Sequence, residues 1–279
     1  MTRRRLSIML LCSLAGAGLA PAATAIAKLS ASQRTALGAA IASPARTPAN
    51  VARDRYRHPA ETLAFFDVKP SHTVVEIWPG GGWYTEILAP YLAKGGGRYY
   101  AAAPDWGMSG ITKLKAANPA LYGAILTADF PAFDAAAPRV PNGTADVVLT
   151  FRNVHNWRMG YRRDDKADYS PDAFRQIYAM LKPGGVLGVV DHRLPEKASD
   201  ERERNSGYIK ESTVRRLAQQ AGFRLAAASR INANPKDSAD WPDGVWTLPP
   251  SLRLKDKDRE KYLAIGESDR MTLKFVKPR

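Results

Sequence analysis

Between residues 73 and 276 the hydrophobic pattern of the chain keeps changing period. Short apolar or β-branched runs at 73–78, 98–103, 124–127, 145–151 and 186–191 predict buried strands. Longer amphipathic stretches at 83–92, 111–117, 171–181 and 211–221 predict the helices between them, with Ser170 as the cap of the third and Gly222 as the stop of the fourth. Strands spaced by helices predict a doubly wound α/β fold, a mostly parallel sheet covered on both faces. Two further runs, 223–230 and 271–276, bring the strand count to seven. The last alternates with period two after a loop rich in Pro and Asp, and is expected to insert antiparallel to its neighbours, although 256–265 has a helical pattern.

Upstream of the sheet, the Ala-rich segment 30–42 opens with Ser30 and Gln33 at capping-box spacing and predicts a helix. Residues 43–50 read as a linker, and 50–57 and 59–66 as short helices that cover one edge of the sheet. The first 25 residues differ in kind. Arg3, Arg4 and Arg5 precede an apolar run at 6–20, and Ala23-Thr24-Ala25 follows it, which is the three-part layout of an export signal. The run is shorter than the roughly 20 residues a spanning helix needs. The expectation is an exported, periplasmic protein cleaved near Ala25 or Ala27, with no stable membrane insertion afterwards. Thr2-Arg3-Arg4-Arg5-Leu6 also resembles a twin-arginine signal. The chain thus divides into a signal peptide (1–25), a helical extension with linker (26–58) and the α/β domain (59–279).

Composition narrows the chemistry. Cys12 is the only cysteine and lies in the signal, so disulfides, thiolate metal sites and cysteine nucleophiles are excluded from the remainder. Net charge is +14, but the basic residues are scattered through mixed-sign segments such as 255–261 without aromatic interleaving, and no nucleic-acid partner is expected. The four histidines show no metal-ligand spacing, so no metal is expected either.

The stretch VVEIWPGGGWYTEIL at 74–88 runs from apolar alternation into Gly80, Gly81 and Gly82 and then into a helical pattern. In doubly wound sheets the ligand lies outside the carboxyl ends of the strands, and glycines in the first strand-to-helix turn let the backbone approach it. A dinucleotide fingerprint would need its third glycine where Thr85 stands, which argues against a nicotinamide cofactor.

The longer stretch VVEIWPGGGWYTEILAPYL resembles the first motif of class I S-adenosylmethionine-dependent methyltransferases, and especially a branch of exported predicted methyltransferases. The likeness covers residues 59–279 and includes Ala145-Asp-Val-Val-Leu-Thr-Phe151, Leu181-Lys-Pro-Gly-Gly185 and Ala221-Gly-Phe223 in the family's order. It implies a Rossmann-like seven-stranded sheet with an antiparallel last strand, S-adenosylmethionine as cofactor, and a small-molecule methyl acceptor. Glu76 then matches the acid that helps hold the methionine ammonium, while Gly80 and Gly82, with Gly81 between them, match the glycine turn. Trp78 stands at the family's first glycine; Pro79 biases it toward extended geometry, and its indole either packs under the turn or borders the cofactor. After the second strand Ala103 replaces the acid that binds the ribose, and Asp105 is the substitute. Asp129 matches the residue that reaches the adenine amino group, or else caps a helix.

The loop after the fourth strand, Arg152-Asn-Val-His-Asn-Trp157, is where the acceptor would meet the methyl group. Asn153 and His155 are the catalytic candidates, and Asn156, Trp157 and His192 the substrate-binding ones. His155 reads as a general base or as a hydrogen-bonded loop anchor. Export of an enzyme whose cofactor is made in the cytoplasm leaves a competing expectation, an exported small-molecule-binding protein with an altered cofactor pocket. A third is an interaction module with a dead pocket.

Overall fold

The computed structural model describes Ile26 and residues 29–279; the expected export signal lies outside the described residues. No helix among the described residues is long and apolar enough to cross a membrane. Eight strands form the sheet: β1 Thr73–Ile77, β2 Arg98–Ala102, β3 Leu126–Ala128, β4 Ala145–Phe151, β5 Leu181–Leu194, β6 Ile209–Lys210, β7 Arg224–Ser229 and β8 Arg270–Val276. Seven of them make one continuous ladder in the order β3-β2-β1-β4-β5-β8-β7, and the two-residue β6 pairs with the end of β5. As the pattern predicts, β8 runs antiparallel, inserted between β5 and β7.

The strands alternate their side chains between two cores. Val74, Ala101, Val147, Leu149 and Val190 point to the face covered by α1 Ala31–Ile41, by α3 Pro59–Phe65, which follows the short α2 Asp54–Arg57, and by α4 Thr85–Lys94. Val75, Ile77, Val148, Leu187 and Leu273 point to the other, packed through Phe174, Ile177, Val214 and Leu217 against helices Ser170–Met180 and Glu211–Gln220. The capping box on α1 forms as expected, with Ser30 Oγ accepting from Gln33 N at 3.1 Å and Gln33 Oε1 accepting from Ser30 N at 2.9 Å. Such a cap contributes about 1 kcal/mol. Thr47, within the segment expected as a linker, donates through its amide and hydroxyl to the buried Glu86 of α4 at 3.1 and 2.6 Å, which fixes the N-terminal helices to the domain.

Three local expectations change. β5 begins at Leu181, because Leu181 pairs with Ala145 ahead of a bulge and the Pro-Gly-Gly segment lies within the strand. Ser170 is inside its helix rather than capping it, and both its amide and its hydroxyl donate to Asp168. Trp78 does not extend β1: its φ is 51°, a left-handed turn that a bulky residue adopts only where its surroundings enforce it.

Candidate functional site

The glycine turn leaves β1 beside the helix Ser109–Ala117, which we label α5. A Cβ at Gly110 would lie 2.2 Å from Gly80 O, so helix and turn touch through backbone. Gly82, at φ +83°, is hemmed in by the same helix, since a Cβ there would approach Leu114 Cδ1 to 2.5 Å. Gly80 and Gly81 have nothing within 4 Å of an added Cβ. Open space therefore lies at Gly80 and Gly81, while the left-handed φ at Gly80 (+58°) and Gly82 favours glycine at both. Gly82→Val should lower the melting temperature, through a left-handed φ worth about 1–3 kcal/mol. Gly81→Val should leave the melting temperature unchanged. Equal melting temperatures for the two variants would contradict this division.

Trp78 reaches across the strand tips. Its Nε1 donates to Phe130 O, beyond β3, at 2.8 Å, and its ring meets Trp106, Trp157 and Tyr161 at centroid distances of 5.0, 6.1 and 6.5 Å. Trp106 and Tyr161 are 45% and 40% exposed, so this aromatic cluster opens to solvent on one side. Of the two expectations for the indole, neither packing under the turn nor edging a cofactor describes it fully: half-buried, it bridges the ends of β1 and β3.

Glu76 shares the parity of Val74 and so enters the core under α4. Tyr99 and Thr85 both donate to its Oε2, the latter at 3.2 Å, and the two hydroxyls are 2.8 Å apart. The carboxyl is 2% exposed, and the partners it has are these two hydroxyls. Burial raises it to about 7, against the lowering effect of the Tyr99 and Thr85 hydrogen bonds and the Arg57 charge. An unfolded chain releases this proton near 4.5, so folding stability falls as pH rises from 4.5 to 7, by about 3 kcal/mol in all. Glu76→Gln should thus match wild type in denaturant unfolding at pH 4 and exceed it at pH 8. A pH-independent difference would refute the assignment.

Asp105, in the 3-10 turn Asp105–Gly107, and Asp129, just after β3, line one cavity of about 440 Å³ together with Ala103, Met108, Ile111, Thr112, Lys115 and Pro138. Its α5 wall is the helix that contacts the glycine turn. Asp129 opens no helix; its amide donates to Pro138 O at 2.7 Å, and the residue lines the cavity.

Beyond β4, Arg152 holds φ 66° and the chain turns into α6, Val154–Arg158. His155 is buried, and its Nδ1 lies 2.7 Å from Oδ1 of the fully buried Asp191 on β5. A carboxylate acceptor there makes Nδ1 the protonated nitrogen and leaves the Nε2 lone pair as the basic one. Asp191 also accepts from His155 N at 3.3 Å and His192 N at 2.8 Å. His192 Nδ1 lies 2.5 Å from Ser268 Oγ, and the two imidazoles are 5.0 Å apart. Burial, then the charges of His155, Arg152, Arg270 and Arg57, hold His192 well below its ordinary basicity, so it is neutral at pH 7.

His155, Asp191 and His192 bring three ligand-capable atoms within 4.8 Å of one another, a juxtaposition that spacing along the chain does not reveal. Both carboxylate oxygens already accept N–H bonds and the neighbours are arginines, so the arrangement suits neutral imidazoles better than a dication. Asn153 is corrected to a scaffolding part: its Nδ2 donates to Ile77 O at 2.9 Å and Thr150 Oγ1 at 3.2 Å, tying β4 to β1. Trp157 is corrected as well, being wholly buried against Phe130 and Phe174 and therefore out of reach of substrate. Asn156 is half-buried, its Nδ2 3.4 Å from Arg152 O. Asp191 was missed; a carboxylate closing the apolar run Val186-Leu-Gly-Val-Val-Asp191 was the available signal.

Neither a protein-family model nor a curated protein matches the sequence. Solved structures do match in fold. An S-adenosylmethionine-dependent methyltransferase from Aquifex aeolicus superposes with a TM-score of 0.53 at 14% identity, over 81% of this chain and 93% of that one. The CurJ carbon methyltransferase gives 0.50 at 10% identity, over 84% and 56%. The [4+2]-cyclase SpnF gives 0.52 at 13% identity, over 75% and 76%. At such identities the likeness is one of fold, and the cyclase shows that this fold also serves other reactions.

Proposed function

We propose that the protein is an S-adenosylmethionine-dependent methyltransferase acting on a small-molecule acceptor. The observation that carries this reading is the convergence of Asp105 and Asp129 on one cavity beside an unfilled glycine turn. Two carboxylates suit the diol and amino donors of an adenosine, and 440 Å³ is within the ordinary range of small-molecule sites. Gly80 and Gly81 would admit the adjoining part of the cofactor against backbone. When bound, S-adenosylmethionine supplies a methyl group on an already activated sulfonium, so positioning is the protein's main contribution.

The remaining contribution is proton handling. Asp191 fixes the His155 ring and its tautomer, which directs Nε2 to take the proton of an acceptor hydroxyl or amine. Asn153 and Trp157 hold the loop that presents it. Titration calorimetry with S-adenosylmethionine and S-adenosylhomocysteine tests the reading. Both should bind, and Asp105→Ala should weaken binding by about 10–100-fold, the loss of a charge-assisted hydrogen bond. Absence of heat with either nucleoside would end the proposal.

A further inference from the structure

Three arginines from two distant parts of the chain share one buried carboxylate, and a fourth lies in its field. Glu267 accepts from Arg53 Nε at 2.6 Å, Arg57 Nε at 3.3 Å and Arg270 Nη1 at 3.0 Å. The Arg152 guanidinium lies in the same field and makes no ion pair or hydrogen bond among the described residues, while the charges of Glu267, Arg270 and Arg53 act on it. Burial, with the neighbouring Arg152 charge, pushes Arg57 well below its usual range, and burial brings Arg152 down to about 10. Donors are left over: Arg53 Nη2, Arg57 Nη2 and Arg270 Nε are buried without a partner. The Arg57 side chain is 3% exposed and its guanidinium lies 4.7 Å from the Trp83 ring centroid.

Buried charge without a counter-ion is costly, by several kcal/mol per ion even after relaxation. Three guanidiniums in excess of one carboxylate, with orphan N–H groups among them, lack an anion. Planar guanidinium forks match carboxylate and phosphate oxygens in bidentate geometry. The position also points to a particular molecule. Arg152 immediately precedes the loop of Asn153 and His155, and Arg270 is the β8 register partner of His192. The arginines therefore cluster past the ends of β4, β5 and β8, across the sheet from the Asp105–Asp129 cavity at β2 and β3.

We propose that Arg57, Arg152 and Arg270, with Arg53 at the rim, bind the oxyanion of the molecule the protein acts on, so that the methyl acceptor carries a carboxylate or phosphate. The assignment to an acceptor rests on the methyltransferase reading; the oxyanion site does not. Thermal melting of the purified protein with inorganic phosphate or malonate, against sodium chloride at equal ionic strength, tests it. At about 100-fold excess over Kd, one of the two should raise Tm by about 5 °C, saturably. Which anion does so distinguishes phosphate from carboxylate. The shift should vanish in Arg152→Met and persist in part in Arg152→Lys, which keeps charge without the fork. Should Arg152→Met fail to fold, Arg53→Gln gives the same loss. Saturating S-adenosylhomocysteine should add its own shift to that of the anion.

A wild-type response no larger than that to chloride, or one equal in Arg152→Met, overturns the site. An anion response abolished by S-adenosylhomocysteine overturns the acceptor assignment, since the cofactor's own carboxylate would then own the arginines. A protein that binds the anion and ignores the nucleoside keeps the site and loses the methyltransferase reading.

Discussion

Glu267→Gln should be the most destabilising single substitution in the polar interior, costing about 3–5 kcal/mol at pH 7, because it removes a buried carboxylate paired to the buried Arg57 and Arg270 and to the partly exposed Arg53. The effect carries a pH signature. Burial raises the Glu267 carboxyl, but the charges of Arg270, Arg57, Arg152 and Arg53 outweigh it and bring it to about 2. Its contribution is therefore complete above 4.5 and lost as pH falls from 4.5 toward 2, opposite in direction to that of Glu76. Denaturant unfolding at pH 7 and pH 3 should show the gap between variant and wild type shrinking. A gap that stays constant with pH would mean that packing, not charge, is what the substitution disturbs. Because an oxyanion would partly replace the missing charge, added phosphate or malonate should rescue the variant more than it stabilises wild type.

His155→Ala should lower kcat for the true acceptor on the order of 10²-fold and leave S-adenosylmethionine affinity within a few fold, since the side chain belongs to the β4–β5 rim and not to the cavity of Asp105 and Asp129. Wild type and variant should also differ in the shape of their pH–rate profiles. Joint loss of cofactor binding and turnover, or a collapse in melting temperature, would make His155 a loop anchor held by Asp191. Melting curves are needed beside the kinetics, because the substitution also leaves a buried carboxylate short of one partner.

The backbone was largely legible in the sequence. β4 was read to its last residue because Ala145–Phe151 is uninterrupted and Arg152 stops it, and the inserted β8 announced itself by period-two alternation after a loop. The site was legible only where local rules reach. Glycines 80–82 named the turn, but which of them faces a ligand depends on Leu114, 32 residues beyond Gly82 and outside any motif. Glu76 could have been placed under α4 from its parity with Val74. The His155–Asp191 pair exists because β4 and β5 are parallel neighbours with Phe151 opposite Val190, which the spacing of two histidines does not encode. The arginine centre was invisible for the same reason, its charges being contributed by a helical extension, a strand tip and the final strand.

That last geometry sets a timetable. Arg53 meets Glu267 across 214 residues of sequence, and the strand that follows, β8, separates β5 from β7. During synthesis the N-terminal helices leave the ribosome early with their arginines unanswered, and β5 and β7 wait with open edges for a neighbour not yet translated. Contacts of such long range make folding slow and keep it from finishing before Glu267 and β8 have been made. A product ending at residue 269 would lack Arg270 and every other position of β8. A chain that stops before β8 should leave the facing edges of β5 and β7 unpaired and open to proteolysis.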